Sequence, residues 1–98
     1  MCTKAQCIEL LRRVSPYLRN EFGVRSLCLF GSMARGDSHI GSDVDVYVDM
    51  PPKAFKVIAL KNYLQDLLGV AVDVIRKRSD LDKLLVSEIE RDGITIFA

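Results

Sequence analysis

The sequence predicts an α+β fold in which a small mixed β-sheet carries helices packed on one side. Three observations lead there. Four short runs rich in β-branched and aliphatic residues have strand length, longer stretches space their apolar residues at the helical period, and glycine or proline stands between most of them. With 98 residues the chain is expected to form one domain, residues 1–98, large enough for a core without disulfides and too small for a second substrate-binding domain.

The elements follow in order. A helix is expected from Thr3 to about Phe22, with Ile8, Leu11, Val14 and Leu18 on one face and Gly23 as its C-terminal cap. Pro16 should kink that helix or restart it, with Ser15 as the new N-cap. Strand one is expected over about Arg25 to Phe30 and strand two over about Val44 to Asp49, which Pro51-Pro52 ends. A second helix, about Lys53 to Leu68, presents Val57, Leu60, Leu64 and Leu67 on one face. Gly69 separates it from strand three, about Val70 to Ile75. Ser79-Asp80-Leu81-Asp82 has the form of a capping box and announces a third helix, with Leu81, Leu84, Leu85 and Ile89 as its buried face. Arg91-Asp92-Gly93 closes it, and Ile94 to Phe97 reads as an edge strand.

The chemistry concentrates in the stretch around strand two. Gly31-Ser32 follows the first strand, Met33-Ala34-Arg35 reads as the start of a short helix, and Ser42-Asp43-Val44-Asp45 leads into the second strand. Successive strand side chains alternate between faces, so Asp43 and Asp45 project from the same face, about 7 Å apart at Cα. Two carboxylates so placed suit Mg²⁺, which takes one or two protein carboxylates and leaves its other positions to water and phosphates. Asp73 stands alone in the apolar run Val70 to Ile75, where a charge is costly unless paired or bound to a cation. Beside Asp43 and Asp45 it would be a third ligand or the base that takes a proton from an attacking hydroxyl, and three carboxylates could hold two cations roughly 3.5–4 Å apart. Gly31 lets backbone approach a phosphate without a Cβ, and Ser32 adds its hydroxyl and N–H. Arg35 reads either as a surface cation or as a triphosphate contact.

Gly31-Ser32, Ala34-Arg35-Gly36, Ser42-Asp43-x-Asp45 and the later Asp73 together resemble the signature of the polymerase-β-like nucleotidyltransferase superfamily. Within it the chain resembles the minimal nucleotidyltransferases, or MNT proteins, of prokaryotic toxin–antitoxin pairs with HEPN proteins. That resemblance implies a polymerase-β-like nucleotidyltransferase fold and Mg²⁺-dependent transfer of a nucleoside monophosphate, AMP from ATP, to a hydroxyl. The acceptor it implies is a tyrosine of a partner HEPN toxin, and the role that of an antitoxin. It implies Asp43, Asp45 and Asp73 as catalytic and metal-binding residues, with two Mg²⁺ ions or Mn²⁺ in their place, and Gly31, Ser32, Arg35 and Ser42 as nucleotide-binding residues. Every diagnostic position is filled.

Other readings are weaker. Gly31 to Ser38 matches the P-loop pattern except at its lysine, where Asp37 would repel phosphate. A formal net charge of +1 and a pI near 7.7 make no case for nucleic acid. Arg76-Lys77-Arg78 follows the Asp73 strand and either borders the site or is a solvated strand exit. Cys2, Cys7 and Cys28 have no metal-ligand spacing, Cys28 reading as a small buried strand residue. His39, in the loop with Asp37 and Ser38, reads as a solvated side chain, and Tyr17, Tyr47 and Tyr63 show no base-stacking pattern. No signal peptide or membrane span is legible, which points to the cytoplasm. Two alternatives remain beside protein modification: an interaction module that neutralises its partner by binding alone, with a vestigial nucleotide site, and an enzyme acting on a small molecule such as an aminoglycoside. Self-association is left open.

Overall fold

A computed structural model describes residues 3–36 and 43–98. Thr3 caps α1 (Lys4–Arg13) through a reciprocal pair of bonds, Gln6 N–H to Thr3 Oγ1 at 3.2 Å and Thr3 N–H to Gln6 Oε1 at 3.0 Å. The helix then breaks at Val14 and resumes as α2 (Ser15–Phe22), ending at Gly23 in the left-handed region. Pro16 forces the break, since its missing N–H and its ring are tolerated only in a first turn. The cap differs from expectation: Val14 is the N-cap, and the Ser15 hydroxyl donates back to the Leu11 carbonyl at 3.0 Å.

Among the described residues four strands form the mixed sheet. β1 (Ser26–Phe30) runs antiparallel to β2 (Val44–Asp49) and to β4 (Ile94–Phe97), and β3 (Val72–Arg76) runs parallel to β2, in the order β3-β2-β1-β4. The short α3 (Ser32–Arg35) follows β1, α4 (Ala54–Leu68) is the crossover between the parallel strands, and α5 (Lys83–Asp92) precedes β4. Strand alternation divides the sheet. Leu27, Leu29, Val44, Val46, Val48 and Val72 point to one face and are buried under Cys7 and Leu11 of α1, Leu18 and Phe22 of α2, and Leu60, Leu64 and Leu68 of α4. Tyr17, Phe22 and Tyr63 join α2 to α4, with the two tyrosine rings 4.9 Å apart, so these aromatics serve packing. The opposite face carries Cys28, Asp45, Tyr47, Asp73 and Ile75 and is covered only in part.

That part is α5, which lies against β1 on the second face, apart from the main helical layer. Ile89 is its buried anchor, and its end approaches so closely that a Cβ on Gly93 would stand 2.6 Å from the Cys28 sulfur. Burial raises the pKa of the Cys28 thiol. The start of α5 corrects the capping-box reading. Ser79-Asp80 form a turn, and the helix begins at Lys83 with Asp82 as N-cap, its carboxylate accepting from Leu84 N–H at 2.8 Å. With that start and with Ile89 facing the sheet, Leu85 and Val86 turn inward while Leu84 is left 76% exposed.

Leu64→Ala, at a fully buried position, should lower unfolding free energy by about 2–5 kcal/mol, whereas Leu84→Ala should stay within about 0.5 kcal/mol of wild type. Urea denaturation of the two variants checks the buried face of α4 and the exposed position of Leu84 on α5.

Candidate active site

Parallel pairing of β2 with β3 sets Asp45 directly beside Asp73, with Val44 beside Val72 and Val46 beside Val74 on the other face. Neighbouring strands lie about 4.8 Å apart, so the two carboxyls share one site. The Asp45 pKa is raised by its partial burial, by the charges of Asp73 and Asp43, and by side-chain hydrogen bonding with Asp73; Arg35 pulls it the other way. Asp43, one residue before β2, is exposed on the same side as Asp45 by strand alternation. Asp73 is exposed rather than enclosed in apolar surroundings, because β3 is an edge strand whose second face is open.

The turn from β1 is fitted to the same carboxyl. Phe30 pairs with Asp45 across β1 and β2, so Gly31 leaves the sheet directly over it. Its backbone, φ 77° and ψ −156°, is a conformation that suits glycine alone, and a Cβ there would collide with Asp45 Oδ2. Glycine is thus required by the carboxylate beneath as well as by any phosphate above. Ser32 opens α3, whose first-turn N–H groups have no intrahelical acceptors. Arg35 ends α3 with its charge felt at both Asp45 and Asp92. The structure therefore brings together Gly31, Ser32, Asp45 and Asp73, with Asp43 and Arg35 within electrostatic reach. Ser42, like Asp37, Ser38 and His39, lies outside the described residues.

A cavity of about 380 Å³ opens on the carboxyl pair, lined by Asp45, Asp73, Phe30, Ile75, Leu85 and, from α4, Val57, Ile58 and Lys61. Lys61 was not legible as a site residue. It sits on α4, and only the crossover between β2 and β3 carries it here. Lys77 and Arg78 of the basic run line a different cavity of about 740 Å³ with Tyr47, Asp49 and Lys83, toward the far ends of β2 and β3. Arg78 pairs there with Asp80 at 2.8 Å.

Among the described residues no three metal-ligand side chains stand together as a preformed cluster. The donor set still fits a hard cation. Two carboxyls are held side by side, burial and the charges of Asp73 and Asp43 disfavour ionisation of Asp45, and a divalent ion would relieve that repulsion.

A family model for the nucleotidyltransferase domain matches residues 11–96. The chain is 39% identical to a Methanocaldococcus jannaschii protein of inferred protein adenylyltransferase activity, covering 98% of this chain and all of that one. It is 37% identical to the protein adenylyltransferase MntA of Thermococcus cleftensis, over 91% of this chain and 95% of the relative. In structure it resembles an inferred minimal nucleotidyltransferase, with 32% identity, a TM-score of 0.70 and coverage of 89% and 93% of the two chains. A toxin–antitoxin crystal structure with AMP-PNP matches at 25% identity and TM-score 0.70, covering 97% of this chain and 73% of that one. A Shewanella oneidensis complex of a tri-AMPylated HEPN toxin with an MNT antitoxin shares the fold at 19% identity and TM-score 0.67, covering 93% and 72%.

A carboxyl whose folded-state pKa is raised favours the fold below its unfolded value, near 3.8, and opposes it once pH rises through the folded value. Asp45→Asn should therefore raise the melting temperature at pH 7, with the gain vanishing below about pH 4 in a pH series of thermal melts. Gly31→Ala should do the reverse, costing about 1–3 kcal/mol at any pH by the same melts.

Proposed function

The chain belongs to the nucleotidyltransferase domain family, and we propose that it is a Mg²⁺-dependent protein adenylyltransferase that moves AMP from ATP to a tyrosine of a HEPN-type partner, acting as its antitoxin in the cytoplasm. The observation that carries this reading is the Asp45–Asp73 pair under Gly31. Relatives named for protein adenylylation support the acceptor class, and the toxin–antitoxin structures support the partner. No helix among the described residues is long and apolar enough to cross a membrane.

Asp43, Asp45 and Asp73 would hold one or two Mg²⁺ ions, with Mn²⁺ able to take the same oxygen donors; a bound ion supplies positive charge against the triphosphate. The protein's own groups account for the rest. Gly31 exposes backbone to the phosphate tail, and Ser32 offers its N–H and hydroxyl. Asp73, beside Asp45 and open to solvent, would accept the proton of the incoming hydroxyl. The acceptor oxygen forms a bond to the α-phosphorus, the bond from that phosphorus to the bridging oxygen breaks, and pyrophosphate departs with the bonding pair. Ser42 completes the nucleotide contacts in this proposal, and Arg35 adds its charge near Asp45. Residues 1–98 act as one domain that brings the donor, and the partner brings the acceptor.

A binding-only antitoxin would have no use for the Gly31–Asp45 fit, which restricts that position to glycine. The Asp43→Asn, Asp45→Asn double variant should lose adenylyl transfer to the partner by at least about 100-fold, read as the adenylyl mass shift, while the fold survives. Undiminished transfer would remove the catalytic assignment. Asp73→Asn should lose transfer comparably yet still bind ATP in calorimetry; joint loss of binding would make Asp73 a donor-site ligand.

A further inference from the structure

In-line displacement at phosphorus sets the entering oxygen and the departing pyrophosphate on opposite sides. The strand order β3-β2-β1-β4 turns that requirement into a direction of approach. Gly31 and Ser32 leave the end of β1 on one side of Asp45, and Asp73 stands on the other side, on the edge strand β3. A phosphate tail held at Gly31 and Ser32 places the leaving group toward β1. The attacking hydroxyl must then arrive from the β3 edge, where the 380 Å³ cavity opens on Asp45 and Asp73.

We propose that this cavity is the acceptor's subsite and that Ile58, Ile75 and Leu85, converging from α4, β3 and α5, are the residues that select an aromatic hydroxyl over an aliphatic one. The inference rests on the donor assignment above and goes beyond it by naming what grips the acceptor. Among the described residues the polar side chains of the lining are Asp45, Asp73 and Lys61, and the remainder is apolar. A ring would bury its faces against those walls with its oxygen directed at the carboxyls. A sugar would leave hydroxyls against aliphatic carbon without partners. A serine or threonine hydroxyl, attached at Cβ, would have to draw its own backbone into the cavity. A phenol, with a pKa of about 10, also yields its proton to Asp73 more readily than an aliphatic alcohol. Lys61, the cation among the described lining residues, favours the phenolate as it forms. Ile58 is 56% exposed on α4, and Phe55, three residues earlier on the same helix side, is 89% exposed, so the apolar wall extends outward to meet the chain that carries the ring.

The test is a methyl and amide NMR titration of the intact protein with N-acetyl-tyrosinamide and, separately, N-acetyl-serinamide, each with and without Mg²⁺ and AMP-PNP. The tyrosine probe should move the methyl signals of Ile58, Ile75 and Leu85, and the serine probe should leave them in place. AMP-PNP should move the Gly31 and Ser32 amides without displacing the tyrosine probe. Ile58→Glu, at a side chain exposed enough to spare the fold, should abolish the tyrosine response and keep the AMP-PNP response. Unmoved methyls in wild type, or displacement of the probe by AMP-PNP, would overturn the acceptor assignment, the second by giving the cavity to the nucleobase. A wild-type protein whose Gly31 and Ser32 amides ignore AMP-PNP would instead overturn the donor assignment and, with it, the direction of approach.

Discussion

Two carboxyls on neighbouring strands, held at the same level by the parallel register of β2 and β3, are the constraint from which the rest of the site follows. In a register slipped by one residue, Asp45 would face Val72 or Val74 and the whole apolar set of one strand would turn to solvent. The register is therefore fixed by burial on the opposite face, where Val44, Val46, Val48 and Val72 lie under α1, α2 and α4. The packed face holds the charged face in place. It holds together a juxtaposition that electrostatics alone would disperse, and the Asp45 pKa is raised by its burial first and then by the charge of Asp73.

Gly31 connects this pair to the turn that follows β1. Phe30 pairs with Asp45, so the β1 turn cannot clear the carboxyl unless its first residue lacks a side chain and adopts a positive φ. A turn so close to the carboxyl sets the Gly31 backbone and the start of α3 beside Asp45. The second face stays open above Asp73 because α5 covers the β1 side of that face, with Ile89 and Gly93 near Cys28. One short helix thus closes half of the face and leaves the other half for chemistry.

The alternation in Val44–Asp49 and the glycine before Ser32 made most of the site legible in the sequence, since both are local signals. The elements of the sheet were legible for the same reason, with β2 and β4 at their expected bounds. The pairing partner of Asp73 was open until the strand order placed it, and its exposure ran against the reading of its apolar neighbours, which hold one face of an edge strand only. The phase of α5 was misread because Ser79 and Asp82 both offer a cap, and only the packing of Ile89 decides between them. Lys61 and the cavity walls were not legible at all. They come from α4, β3 and α5, and no spacing along the chain marks residues that meet only through a crossover.

The chemistry of the site rests on the state of one carboxyl. Site-resolved ¹³C NMR of the Asp45 carboxyl, titrated with pH in the metal-free protein and again in saturating Mg²⁺, measures it directly. The predicted result is a titration displaced above the ordinary aspartate range without metal and drawn well below that position when Mg²⁺ is added. An Asp45 carboxyl that titrates as an ordinary surface aspartate in both series would contradict the account.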